Sequence, residues 1–283
     1  MLMKMAHLSE HLSTVSEAAP VESIDWPSAL DLDQWFMAPE LLSLHGCELF
    51  DALDEKTRKR LSFYEAVNFF SLNIYGEKPL VAGLADRLYA RGFDEVSRYL
   101  HHFLSEENRH MQYFARFCHS YAGKIYPEKK FKIPADHSQA EEDVIFFAQA
   151  VVFELLVDHY NAINAADERL APIARSINRL HHVDETRHLA FGRRLLAELW
   201  SAYAGDWGVP TRLKVRSSID AFLNLTWRQY YNPEVYGDAG LPDPYSTMEI
   251  AWNAPDRVAF RAKVSEEIQT VLRQAGLDDG GRA

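Results

Sequence analysis

The stretch LHHVDETRHLAF, Leu180 to Phe191, sets His181, Glu185 and His188 four and then three residues apart. On a helix of 3.6 residues per turn those steps hold the three side chains within about 60° of one another, on one stripe. The flanking Ile177, Leu180, Leu189 and Phe191 turn the stripe toward a protein interior, where imidazoles and carboxylates need partners. Such groups can exchange protons or share a cation.

A second stripe lies in LSEENRHMQYF, where Glu107 and His110 stand three apart and Glu106, about 100° around the helix, is expected to face solvent. One Glu-x-x-His pair fits a hydrogen-bonded core histidine as well as a ligand pair. Two more glutamates shift the balance: Glu65 in LSFYEAVNFFSL and Glu154 in VIFFAQAVVFELLV. Neither run contains a basic residue, and an ionised carboxylate left unpaired there costs about several kcal/mol. In chain order the donors read Glu65, then Glu107 with His110, then Glu154, then Glu185 with His188. One glutamate and one Glu-x-x-His, given twice, is how ferritin-like carboxylate bundles hold two metal ions between four helices. The oxygen-rich set suits iron, with manganese the other candidate, and four carboxylates balance two divalent ions. His181, one turn before Glu185, is a candidate third imidazole ligand, whereas His182 is rotated away. Asp184 and Asp158 are candidate acceptors for the far nitrogens of ligand histidines.

The elements that must carry these groups are helices. From about residue 51 to 230 Gly and Pro are sparse and apolar residues recur at helical spacing, with no βαβ alternation. Expected helices run from Glu55 to Tyr75, Leu80 to Arg91, Asp94 to Tyr121, Ala140 to Glu168, Ala171 to Tyr203, Thr211 to Tyr230 and Pro255 to Gln274. Gly76 and Gly123, each followed by a proline, read as helix ends, Ser138 with Glu141 as a capping box, and Asn253 before Pro255 as a helix start. Residues 1–50 read as an irregular arm or short helices over the bundle, and Tyr231 to Met248 as a second irregular segment. The expected fold class is all-α: one ferritin-like helical bundle spanning residues 1–283, with extra peripheral helices.

The 283 residues carry a net charge of -11 and no long basic run, which argues against nucleic acid and anionic membrane surfaces. The apolar run Val144 to Val157 is too short to span a bilayer. Cys47 and Cys118 cannot build an iron–sulfur ligand set, and a reducing cytoplasm is the default location. No nucleotide-binding glycine pattern is present, so electrons are expected from a separate reductase or ferredoxin-like carrier.

The order Glu, Glu-x-x-His, Glu, His-x-x-x-Glu-x-x-His resembles the AurF family of p-aminobenzoate N-oxygenases, whose third histidine sets it apart from the ordinary four-carboxylate, two-histidine pattern. The resemblance covers Glu65 to His188 and implies the ligands Glu65, Glu107, His110, Glu154, His181, Glu185 and His188. It implies a di-iron site cycling between Fe2+ and Fe3+, O2 as co-substrate, and a small-molecule amine oxidised to the hydroxylamine or onward to nitroso or nitro. Phe69, Phe114, Val151 and Phe191, one turn from those ligands, are candidate lining residues of an apolar pocket. Three readings stay open beside it: a di-iron hydroxylase or desaturase acting on carbon, a ferritin-like metal store, and a helical module without metal. A homodimer is one assembly open to the chain.

Overall fold

In the computed structural model, residues 5–19, 23–129 and 136–277 are described. Ten α-helices follow in chain order: α1 (Ala6–Ala18), α2 (Glu48–Asp51), α3 (Glu55–Arg87), α4 (Ser97–Phe117), α5 (Gln139–Ala166), α6 (Pro172–Tyr203), α7 (Val209–Gln229), α8 (Pro233–Asp238), α9 (Pro244–Asn253) and α10 (Pro255–Gln274). Among the described residues there is no strand, only an isolated bridge between Trp35 and Leu170. The fold is an all-α, ferritin-like bundle. Its core is α3 packed on α4 and α5 packed on α6, while α1 lies over α4 and α6, and α7 and α10 cover α5.

Heptad seams explain why these four helices pair. On α3 the buried line runs Phe63, Ala66, Phe70, Asn73, Glu77, Leu80, Leu84, and on α4 it runs Leu100, Phe103, Glu107, His110, Phe114, Phe117. Steps of three and four keep each line on the face turned toward the neighbouring helix. Local signals set the ends. Asp54 caps α3 by accepting the Thr57 N–H at 2.7 Å, and Ser138 caps α5 by accepting the Glu141 N–H at 3.4 Å. After α4 the backbone widens into a π-helical turn, Cys118–Ala122, that stops at left-handed Gly123 (φ 68°).

Three expectations need correction. The chain does not break at Gly76: α3 runs uninterrupted from Glu55 to Arg87, with Pro79 inside it. A Cβ at position 76 would meet Phe153 Cζ at 2.0 Å, so the missing side chain lets the α5 ring rest on the α3 backbone rather than ending the helix. Gly83 does the same for Phe146, seven residues along on each helix. Second, the segment from Tyr231 folds into α8 and α9, because Pro233 and Pro244 sit at helical first positions behind the capping side chains of Asn232 and Asp243. Third, Asn253 closes α9, bonding the Glu249 carbonyl, instead of capping α10. The N-terminal segment contains the 13-residue helix α1, a short helix over the bundle as expected.

Candidate metal centre

Seven polar side chains meet in the middle of the four-helix core: Glu77 from α3, Glu107 and His110 from α4, Glu154 from α5, and His181, Glu185 and His188 from α6. Each is at most 2% exposed. Three overlapping triads have donor atoms within 4.8 Å of one another: Glu77, His110 and His181; Glu107, His110 and Glu185; Glu154, His181 and Glu185. His188 closes the ring, its Nδ1 lying 2.8 Å from Glu107 Oε1 and 3.3 Å from Glu185 Oε1.

Six of the seven expected ligands are brought together, and Glu65 is not. It stands twelve residues before Glu77, about 18 Å along the same helix and about 120° around it, off the buried seam. Its carboxylate is already satisfied by the Ser43 backbone N–H at 3.0 Å and the Ser43 hydroxyl at 2.5 Å, and that hydroxyl also lies 2.8 Å from Tyr236 Oη. Burial nonetheless pushes the Glu65 carboxyl up to about 7. Glu77 takes the place expected of it. The signal was the α3 seam, in register from Phe63 to Leu84 and passing through position 77.

The cluster has more acceptors than the protein can satisfy. Both oxygens of Glu77, Glu107 and Glu154, Glu185 Oε2, His110 Nδ1 and His181 Nε2 are buried without a hydrogen-bond partner. Orphaned polar atoms are rare in protein interiors, and so many converging on one point describe a cavity for cations. The electrostatics agree. Burial, reinforced by Glu107 and Glu185, raises the Glu77 and Glu154 carboxyls well above the ordinary range. Glu185 is held far below it despite burial, chiefly by His188 and His181. Two divalent ions would supply the positive charge that four carboxylates lack.

The far side of each imidazole is fixed. His110 Nε2 lies 3.0 Å from Asp184 Oδ2, and His188 Nε2 lies 2.8 Å from Glu106 Oε2. The arrangement is reciprocal, since α6 supplies the acceptor for the α4 histidine and α4 the acceptor for the α6 histidine. Each acceptor takes the outer proton and leaves Nδ1 directed at the cluster. Glu106 therefore does not face solvent as expected: it is 5% exposed and also receives Arg187 Nη2 at 2.8 Å. Asp184 has the expected role, but Asp158 instead pairs with His182. His181 Nδ1 lies 2.8 Å from the Asn161 side-chain amide, whose Oδ1 has no partner. With that amide turned over, Oδ1 accepts the Nδ1 proton and Nε2 is free for a cation. Asn161 and Phe103, whose ring stacks on His188 at 4.0 Å, escaped the sequence reading because neither is ionisable, although each stands on a ligand stripe, Phe103 four residues before Glu107 and Asn161 seven after Glu154. Of the expected pocket residues, Phe114 packs 5.0 Å from the His181 ring, and Val151 and Phe191 are buried. Phe69 sits apart with Tyr160 and Tyr230.

Comparison with known proteins agrees with this arrangement. The family described as "P-aminobenzoate N-oxygenase AurF" matches residues 2–276. Among solved structures, a variant of the R2-like ligand-binding oxidase with an aerobically reconstituted Mn/Fe cofactor superposes with a TM-score of 0.51 at 15% identity, covering 95% of this chain and 93% of that one. A second variant of that oxidase, reconstituted anaerobically, gives 0.50 at 14% identity over 95% and 92%. At such identities the likeness is one of fold. No curated protein matches the sequence.

Proposed function

The chain belongs to the AurF family and is a di-metal oxygenase of ferritin-like fold, and from that premise we propose that it N-oxygenates a small-molecule amine, using two iron ions and O2. The observation that carries the reading is the buried set of four carboxylates and three imidazoles, with so many donor atoms lacking any protein partner. The ligands we assign are Glu77, Glu107, His110, Glu154, His181, Glu185 and His188. A ferrous pair bound there would supply the electrons that activate O2. The protein contributes the rest. Glu107 and Glu185 lie in the middle of the set, each within reach of imidazoles from both α4 and α6, and would hold iron there together with those imidazoles. Asp184 and Glu106 hold outer imidazole protons in place and keep the inner nitrogens available. Phe103 and Phe114, against His188 and His181, keep bulk water from the cluster.

Manganese in one or both positions is the alternative metal content. The test is to load the purified chain with ferrous iron, add O2 and an arylamine such as p-aminobenzoate, and analyse products by mass spectrometry. The reading expects oxygen from labelled O2 on nitrogen, as hydroxylamine, nitroso or nitro product. Oxygen on carbon, or a desaturated product, would move the chain to carbon chemistry; uptake of iron far beyond two per chain would make it a store.

A further inference from the structure

The three imidazoles of the cluster are not held alike. His110 and His188 turn their outer nitrogens to carboxylates, Asp184 at 3.0 Å and Glu106 at 2.8 Å, and Arg187 bonds both of those carboxylates. An ionised carboxylate only accepts, so it keeps the ring proton on the outer nitrogen at all times. His181 meets the Asn161 amide instead, 2.8 Å from its Nδ1, and both residues are fully buried. An amide is a donor at one end and an acceptor at the other, and it therefore suits either form of a neutral imidazole.

Whether the amide can change ends depends on what holds it. Three asparagines lie together here, Asn161 and Asn164 on α5 and Asn178 on α6, each at most 1% exposed. Asn164 is pinned at both ends, its Oδ1 accepting the Ala38 N–H at 2.9 Å and its Nδ2 donating to Asn178 Oδ1 at 3.3 Å. Asn178 Nδ2 donates in turn to the Ala174 carbonyl at 2.8 Å. Asn161 is held at one end only, because its Oδ1 has no hydrogen-bond partner. Across the ring, His181 Nε2 lies 2.9 Å from Glu185 Oε1 and 3.5 Å from Glu77 Oε1, carboxylates grouped with it in the cluster. While Nε2 keeps its proton, that proton faces those acids and Nδ1 accepts the amide N–H. Once Nε2 binds a cation, Nδ1 must carry the proton, and Asn161 can receive it only by presenting Oδ1.

We propose that Asn161 is the positioning residue of His181 and that its amide reverses on metal binding, donating from Nδ2 before and accepting at Oδ1 after. As the metal–Nε2 bond forms, Nε2 loses one proton and Nδ1 gains one, so the imidazole stays neutral. The proposal rests on the assignment of His181 as a ligand. Of the three ligand histidines, His181 is then the one whose outer partner carries no charge.

The test uses Zn2+ as a diamagnetic stand-in for iron, with isotope-labelled histidine nitrogens read by NMR in the full chain. The His181 nitrogens, identified as the signals absent from His181→Ala, should carry the proton on Nε2 before Zn2+ is added and on Nδ1 afterwards. In Asn161→Asp, whose carboxylate accepts and does not donate, Nδ1 should carry a proton in both states. Chelator competition gives a second reading. Asn161→Leu should weaken Zn2+ binding by about 10- to 100-fold, and Asn161→Asp should not. In a chain already carrying His181→Ala, Asn161→Leu should weaken binding no further, because a residue acting through that ring has nothing left to hold. A His181 proton that stays on one nitrogen throughout in the unaltered chain would overturn the proposal, as would an Asn161→Leu effect that persists in full beside His181→Ala. Unchanged Zn2+ binding by His181→Ala alone would remove His181 from the ligands and the reversal with it, while metal analysis of the same sample judges the remaining ligands separately.

Discussion

A carboxylate with both oxygens buried and unpartnered persists only if a proton or a cation shares it, and Glu77 is in that position. Glu77→Ala should therefore reduce iron from about two per chain to one or none, measured by plasma emission spectroscopy, with the helical circular dichroism retained. Asp184→Asn should act through His110: losing the anionic acceptor should weaken metal binding by about 10- to 100-fold in a chelator competition. Glu65 behaves differently, being satisfied by Ser43 and remote from the cluster. Because its carboxyl is raised to about 7, the folded state holds its proton more tightly than the unfolded chain does. Its contribution is full below the unfolded value near 4.5 and is lost as pH rises through about 7, a difference of at most about 3 kcal/mol. Glu65→Gln should flatten that part of the pH profile of urea unfolding and leave iron content unchanged.

At the scale of the element, the contact that decides the α3–α5 approach is Gly76 against Phe153. Gly76→Ala places a methyl 2.0 Å from the ring and should destabilise by about 1–3 kcal/mol in urea unfolding. Phe153→Leu in the same chain should recover part of the loss, since the clash is with one ring. The same glycine shows why one ligand was not legible in the sequence. Gly76 and Pro79 read locally as a helix end, and that reading placed Glu77 in a loop and left Glu65 as the only buried-looking acid on α3. Punctuation residues report backbone freedom, not the neighbour that requires it, and Phe153 is 77 positions away. The heptad of Phe63, Ala66, Phe70, Asn73, Glu77, Leu80 and Leu84 was present throughout and is the better guide, because a seam is set by what the helix must bury. On α4 and α6 no glycine or proline interrupts the stripes between the ligands, and there spacing alone found every ionisable group of the cluster. Glu106 was misplaced for a related reason: it is off its helix seam, but α6 and Arg187 reach around to cover it.

For the whole molecule, the fold is a frame that carries one group each from α3 and α5, two from α4 and three from α6 to a common buried point. Among the described residues no helix is long and apolar enough to cross a membrane. Peripheral elements then differentiate the two sides of the frame. The helix α1 covers part of α4 and α6, while α8 and the loop carrying Ser43 secure the far end of α3 through Glu65 and Tyr236. The central claim is that two cations sit among Glu77, Glu107, His110, Glu154, His181, Glu185 and His188. Anomalous scattering from crystals of iron-loaded protein, recorded at the iron edge, measures this directly. Two peaks bounded by those seven side chains, with none beside Glu65, is the predicted result; a peak at Glu65, or no peak within the four-helix core, would contradict it.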